Sequence, residues 1–161
     1  MIIVGCGSVG ISISEKYRRE VKLLSQLIWI LHTMKNELQY RLTVLPELCR
    51  KCGQETTGIL GNIFQNLAIE LDKNSAPDVD GCMAEVLDKI DTLPKTVYFH
   101  IKRLGQMLGR FDLPGQIEGI DHICTDCEEN LRNLQKDQNI RLRNYRTLGL
   151  CGGVALAILL V

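Results

Sequence analysis

Residues 112–146 read DLPGQIEGIDHICTDCEENLRNLQKDQNIRLRNYR, and this stretch predicts the longest helix of the chain. Asp112 is a good helix cap, and Pro114 falls in the first turn, where its missing N–H leaves no hydrogen bond unmade. A mainly apolar stripe then recurs every three or four residues, as on one face of a helix: Ile117, Ile120, Cys124, Cys127, Leu131, Leu134, Gln138 and Tyr145. No proline follows Pro114, so we expect one rod of roughly 70 Å that continues to Val161.

Both ends of the chain are apolar and uncharged. Residues 147–161 read TLGLCGGVALAILLV, and residues 1–14 read MIIVGCGSVGISIS. Basic residues lie on the inner side of each run: Lys16, Arg18, Arg19, Lys22, Arg141, Arg143 and Arg146. Because positive residues stay on the cytoplasmic side of a membrane, we expect membrane helices at 1–14 and 147–161 around a cytoplasmic domain at 15–146. Each run is shorter than the roughly 20 residues of a full span, which points to a locally thinned bilayer or a start further upstream.

The middle of the chain shows further helical patterns and no alternating pattern typical of strands. The first helix continues from the apolar start through Leu38, and a break follows at Tyr40 to Thr43. Thr43 is predicted to cap a short helix that has Pro46 in its first turn and ends at Gly53. More helices are predicted at residues 59–71, 78–90 and 94–108, with a loop at 74–77. The expected fold is all-α, a multi-helix bundle of helical hairpins with a long C-terminal helix.

Composition excludes some classes of function. A chain of 161 residues predicts one domain, and its net charge of zero argues against nucleic acid as a partner, because phosphate binding needs a basic excess. Seven cysteines are an odd number. With helix-like spacing and a cytoplasmic placement, they favour reduced thiols over disulfides.

The segment Gly5–Gly10, GCGSVG, matches the G-x-G-x-x-G fingerprint of dinucleotide sites. That site needs a strand–turn–helix unit, a second strand and an acidic residue about 20 positions further on. Here one helical pattern fills the next 25 residues or so, which favours close packing of membrane helices through small residues. The C-terminal tail has similar small residues at Gly149, Gly152 and Gly153. A nucleotide-binding protein that uses Gly5–Gly10 remains an alternative.

Two C-x-x-C pairs, Cys49/Cys52 and Cys124/Cys127, raise the hypothesis of a zinc site. About 70 residues separate the pairs, more than in a compact zinc module, and the second pair lies within a helix. Buried structural thiols are therefore favoured, and a zinc-stapled helical module or redox chemistry remain alternatives.

The remaining polar residues predict no catalytic, cofactor or metal site. Three histidines, His32, His100 and His122, lie on different predicted helices without a carboxylate or second histidine at ligand spacing. No Ser-His-Asp set or phosphate-binding loop is present in the sequence. A group of acidic residues on the long helix is interpreted as a solvated face or a docking surface: Asp121, Asp126, Glu128 and Glu129.

Two blocks of sequence resemble a known family. The first is LGQMLG at 104–109, followed by Asp112 and Gln116, and the second is RTLGLCGGVALAILL at 146–160. They resemble the patterns LGxxLGxxDxxxQ and RxLGxxGGLAxVILL of the stage III sporulation protein AB family of spore-forming Firmicutes. The resemblance extends over nearly the whole chain. It departs at Phe111, where the family usually has Ser, and at Pro114-Gly115.

This resemblance implies a non-enzymatic protein in the mother-cell membrane of a sporulating bacterium. Its all-helical cytoplasmic domain would be similar to those of the platform proteins of type II secretion and type IV pilus machines. The implied partners are a cytoplasmic secretion-type ATPase and neighbouring membrane subunits, and a homo-oligomer is compatible with this role. No cofactor is implied.

The motif residues are interpreted mainly as structural. Six of them are expected to shape the turn between the fifth helix and the long helix: Leu104, Gly105, Leu108, Gly109, Asp112 and Gln116. Gly105 and Gly109 would allow close packing or chain reversal, Asp112 would cap the long helix, and Gln116 would complete the cap.

Overall fold

The computed structural model describes the backbone of residues 3–73, 78–110 and 112–160, and side chains at 15–73, 78–110 and 112–136. Every regular element in these ranges is an α-helix, as the sequence predicts. The helices are α1 (Ile3–Tyr40), α2 (Leu45–Glu55), α3 (Ile59–Lys73), α4 (Val79–Leu87), α5 (Lys95–Met107) and α6 (Leu113–Leu160).

The helices form a bundle of three closely packed pairs. α2 packs against α3, α4 packs against α5, and α1 packs along α6. One hydrophobic core joins all six helices, and its largest fully buried side chains include Phe64, Leu24, Leu27, Leu31 and Met83. The predicted helical hairpins are therefore confirmed for α2–α3 and α4–α5, with α1 and α6 as the third pair.

The break between α1 and α2 falls where the sequence predicts it, but the cap differs. Leu42 has a left-handed backbone, with φ of 52°, which turns the chain. Val44 rather than Thr43 is the N-cap residue of α2, and it makes no side-chain capping hydrogen bond. The Thr43 hydroxyl instead donates to Glu37 Oε2 at 2.9 Å. The predicted cap is wrong because the Thr43 hydroxyl donates its hydrogen bond to the buried Glu37 carboxylate instead of serving α2.

Gly53 does not end α2, which continues to Glu55. A Cβ at position 53 would lie 2.6 Å from Gln65 Cγ and 2.8 Å from the Gln65 backbone nitrogen, so the glycine permits close approach of α3. Gln65 Nε2 also donates to the Gly53 carbonyl at 2.9 Å. The glycine therefore serves packing between the two helices rather than helix termination. The predicted loop at 74–77 lies outside the described residues.

The glycine fingerprint at Gly5–Gly10 lies inside α1, whose backbone is helical from Ile3 to Tyr40. A dinucleotide site needs these glycines at a turn between a strand and a helix. The nucleotide-binding alternative is therefore wrong about the local structure.

The backbone of both apolar ends is helical and continues into the two longest helices, since α1 starts at Ile3 and α6 ends at Leu160. Over the part of the chain that the structure describes, no helix is both long enough and apolar enough to span a bilayer. Side chains at 1–14 and 137–161 lie outside the described residues. The predicted membrane helices and the packing roles of Gly149, Gly152 and Gly153 therefore stay predictions.

Candidate functional site

The family-like motif forms the connection between α5 and α6. Leu104 and Leu108 are both buried, and the Leu108 N–H donates to the Leu104 carbonyl at 3.0 Å as α5 ends. Their side chains join the core cluster, so this end of α5 is held in place from inside the bundle.

The two glycines of the motif are required by close packing against α4. A Cβ at Gly105 would lie 2.7 Å from Met83 Cβ, and one at Gly109 would lie 2.8 Å from Val79 Cγ2. Gly109 also has a φ of +75°, which L-residues rarely adopt. Gly105 thus permits close packing, and Gly109 permits both close packing and chain reversal.

Asp112 lies immediately before α6 and acts as its N-terminal cap. Its Oδ1 accepts a hydrogen bond from the Gly115 backbone N–H at 3.2 Å. The Gln116 backbone N–H donates to the Asp112 carbonyl at 2.9 Å, which closes the first helical turn. The start of α6 is therefore set by one carboxylate, as the position of Asp112 in the sequence suggests.

Two polar links join α5 to α6 beyond the turn. Arg103 forms an ion pair with Asp126. The Asn130 amide lies 3.0 Å from Nε2 of His100. His100 is almost fully buried, and burial lowers the pKa of its imidazole. The neutral ring is thus the form that suits this site.

A second set of polar contacts joins α1 to α6. Lys35 Nζ lies 2.6 Å from Asp121 Oδ1. His32 Nε2 lies 3.5 Å from Cys124 Sγ and 3.9 Å from Glu128 Oε1. The residue numbers rise along α1 as they fall along α6, so the two helices run antiparallel.

These contacts change the interpretation of the acidic residues on the long helix. Asp121 and Glu128 face α1, whereas Asp126 faces α5, so they do not form one solvated face. The sequence shows their helical spacing but not their partners on α1 and α5, which lie 23 to 96 residues away. No sequence pattern around His32, Lys35 or Arg103 predicts these pairs.

The cysteines of both C-x-x-C pairs are buried. Burial raises the pKa of Cys52 and of Cys127 to about 12, and it raises the pKa of Cys49 as well. Among the described side chains, the one group that converges closely enough to hold a metal ion is His32, Cys124 and Glu128. The four thiols therefore do not share a site, and the zinc staple built from the two cysteine pairs is wrong.

The outward side of α5 carries an aromatic residue among cations. Phe99 is 59% exposed. Lys95, Lys102 and Gln106 are exposed on the same side at helical spacing. The opposite side of the helix is buried in the core. We call Lys95, Phe99, Lys102 and Gln106 the α5 outer face. In the described ranges, neither lysine of this face forms an ion pair, so both charges remain available to a partner.

Comparisons with known proteins agree on one family. The family model for stage III sporulation protein AB matches residues 1–161. The stage III sporulation protein AB of Bacillus subtilis (strain 168) is 24% identical, over 99% of this chain and 95% of that protein. A solved structure of a stage III sporulation protein AB superimposes with a TM-score of 0.68 at 23% identity, covering 76% of this chain and 98% of that one. The solved structure supports the fold alone.

Proposed function

Because this chain belongs to the stage III sporulation protein AB family of sporulation proteins, we propose that it is a non-enzymatic helical platform. It docks a cytoplasmic secretion-type ATPase onto a membrane complex in the mother cell. The helical domain at 15–146 receives the ATPase, and the apolar ends hold the protein at the membrane.

The α5 outer face supports the docking step. Aromatic residues contribute most where an interface core excludes water, and Phe99 offers such an anchor. Lys95 and Lys102 flank it and would meet acidic groups at the rim of the partner, which favours rapid and selective association. Since the inner side of α5 is fixed in the core, this face is held rigid for binding. The observation that carries the docking proposal is the exposed Phe99, which lies between two lysines that pair with no described acidic residue.

The direction of the two longest helices supports the membrane step. The antiparallel pairing of α1 and α6, seen in the His32–Cys124 and Lys35–Asp121 contacts, directs the start of α1 and the end of α6 toward the same end of the domain. Residues 1–14 and 147–161 are uncharged and bordered by basic residues. Two short apolar segments that act on one side of a domain give stronger membrane association than one.

Docking is tested with the full-length chain in detergent and the purified ATPase, by measuring the dissociation constant. We expect Phe99→Ala to weaken binding at least about tenfold, as truncation of an interface anchor does. Lys102→Glu should also weaken binding, and its effect should grow as salt is lowered. At low salt the new carboxylate is repelled more strongly by the acidic groups of the partner. Ile69→Ala is the matched control, since Ile69 is a similarly exposed apolar residue on α3. Equal affinity of all these variants and the wild type would refute docking at α5.

Membrane association is tested separately by cell fractionation. The full-length chain should sediment with membranes and need detergent for release. A variant that lacks residues 147–161 should be released more readily, because one apolar segment has been removed. Recovery of the full-length chain in the soluble fraction without detergent would contradict this part of the proposal.

A further inference from the structure

Three side chains with metal-binding atoms meet between α1 and α6. His32 comes from α1, and Cys124 and Glu128 come from α6. Their ligand atoms all lie within 4.8 Å of one another. His32 Nε2 is 3.5 Å from Cys124 Sγ and 3.9 Å from Glu128 Oε1. Nothing in the proposed docking function uses this cluster.

We propose that His32, Cys124 and Glu128 bind one divalent transition-metal ion of the zinc class. A thiolate and an imidazole are ligands for zinc and its neighbours, whereas magnesium and calcium prefer sites made of oxygen atoms alone. Three protein ligands leave a fourth tetrahedral position open to water or to another ligand.

The observed distances fit tetrahedral coordination. Zinc bond lengths of about 2.3 Å to sulfur and about 2.0–2.1 Å to nitrogen or oxygen place neighbouring N and S ligands about 3.5 Å apart, and N and O ligands about 3.4 Å apart. The N–S distance between His32 and Cys124 is 3.5 Å. The N–O distance between His32 and Glu128 is 3.9 Å. The Glu128 carboxylate lies within 4.8 Å of the Cys124 sulfur, so it must move by up to about 1 Å to complete the set.

The helices hold the ligands ready for an ion. Cys124 and Glu128 are four residues apart and lie on the same side of α6. Cys124 is buried, which fixes its sulfur, while the His32 and Glu128 side chains are 55% and 44% exposed. An ion can therefore enter from solvent and meet a sulfur already in place.

Neighbouring charges leave room for the ion. Arg132 Nη2 approaches Oε2 of Glu128 at 3.5 Å, so the other oxygen, Oε1, is the one that faces His32. Asp121, one turn before Cys124, is paired with Lys35 at 2.6 Å. On binding, the ion takes the place of the Cys124 thiol proton, which passes to solvent, and no oxidation or reduction occurs. The bound ion would cross-link α1 and α6.

The test is a Co²⁺ titration of the metal-free, full-length chain in detergent, under argon with a phosphine reductant. We expect saturation at one Co²⁺ per chain, a sulfur-to-cobalt charge-transfer band in the near ultraviolet, and loss of that band when Zn²⁺ is added. Cys124→Ser should abolish the band. His32→Gln and Glu128→Gln should each weaken binding by at least about tenfold, since even outer-shell changes have effects of that size.

His32→Gln separates loss of metal binding from loss of folding, because its exposed side chain can change without disturbing the core. The matched control is His122→Gln, which alters another exposed histidine beside a carboxylate, Glu118. The control should bind Co²⁺ like the wild type. The proposal is overturned if the wild type shows no saturable binding, if His32→Gln binds as tightly as the wild type, or if the band survives in Cys124→Ser. Loss of the band in Cys49→Ser would overturn it as well, because a site at the other cysteine pair would then explain the signal.

Discussion

Gly105 of α5 packs against Met83 of α4 so closely that a Cβ at position 105 would lie 2.7 Å from Met83 Cβ. Because the obstacle is the root of the side chain rather than its flexible end, the two helices must separate to admit a methyl group. We therefore expect Gly105→Ala to destabilise the fold by about 1–2 kcal/mol, despite the higher helix propensity of alanine.

Thermal unfolding of Gly105→Ala should show a melting temperature lower by roughly 2–8 °C. Gln106→Ala is the control, because Gln106 is exposed on the same helix and reports helix propensity alone. A melting temperature at or above that of the wild type would show that α4 and α5 can move apart easily.

The cap on α6 gives a second prediction. Asp112→Ala removes the carboxylate that accepts from the Gly115 N–H, so the free energy of unfolding should fall by about 1 kcal/mol. Asp112→Asn should recover most of this stability, since asparagine also caps well. Urea denaturation measures both variants. Asp91→Ala, a change at an exposed aspartate outside any helix, serves as the control, and equal stability of Asp112→Ala and the wild type would refute the cap.

Much of the fold could be predicted from the sequence because its signals are local. Apolar spacing predicts each helix, and Asp112 with Pro114 predicts where α6 begins. The errors arise where a distant residue takes over a local role. Thr43 has the right chemistry for a cap but donates to Glu37, and Gly53 resembles a helix stop but makes room for Gln65.

The polar contacts between helices could not be predicted for the same reason. His32 and Cys124 are 92 residues apart, and no sequence motif contains both of them. Helical spacing shows that Cys124 and Glu128 share a side of α6, but not which helix covers that side. The third ligand appears only when the register between α1 and α6 is known.

Glu37 predicts how stability responds to acid. Hydrogen bonds from Lys51, at 2.6 Å, and from Thr43, at 2.9 Å, lower the pKa of this carboxyl below its ordinary value of 4.5. Since the folded pKa lies below the unfolded one, the contribution of ionised Glu37 is present above pH 4.5 and is lost as the pH falls through the folded pKa.

Glu37→Gln should therefore be less stable than the wild type near pH 7, and the difference should shrink below pH 4.5. Urea denaturation across pH 3 to 7 measures it. Glu85→Gln provides the comparison, because Glu85 is exposed and forms no ion pair within the described ranges. A stability difference that stays constant over the whole range would contradict the predicted lowering of the pKa.

The buried thiols predict slow alkylation. With pKa values of about 12, Cys52 and Cys127 are almost entirely protonated at pH 8, and the thiolate is the form that reacts. We expect both to remain unmodified by iodoacetamide while the protein is folded and to react fully in urea. Peptide mass spectrometry reads each site separately. Rapid labelling of either cysteine in the folded protein would mean that its thiol is reactive or exposed, and would reopen a redox role for that pair.

His100 predicts a second pH dependence, at a higher pH than that of Glu37. Burial lowers the pKa of this histidine below its ordinary value of 6.5, and its Nδ1 has no hydrogen-bond partner among the described residues. The neutral ring is favoured in the fold, so its contribution is complete above pH 6.5 and is lost as the pH falls through the folded pKa. Below pH 6.5 the unfolded chain binds the proton first, and stability should decline.

His100→Gln should reduce this decline, because glutamine keeps a polar group near Asn130 but takes up no proton. Urea denaturation between pH 5 and 7.5 measures the slope for the variant and the wild type, and proton NMR of the His100 ring gives its titration midpoint directly. The exposed His122→Gln variant should decline as the wild type does. A titration midpoint of His100 at or above 6.5 would contradict the predicted lowering of its pKa. It would mean that the ring is protonated within the folded protein and that water or the Asp126 carboxylate stabilises its charge.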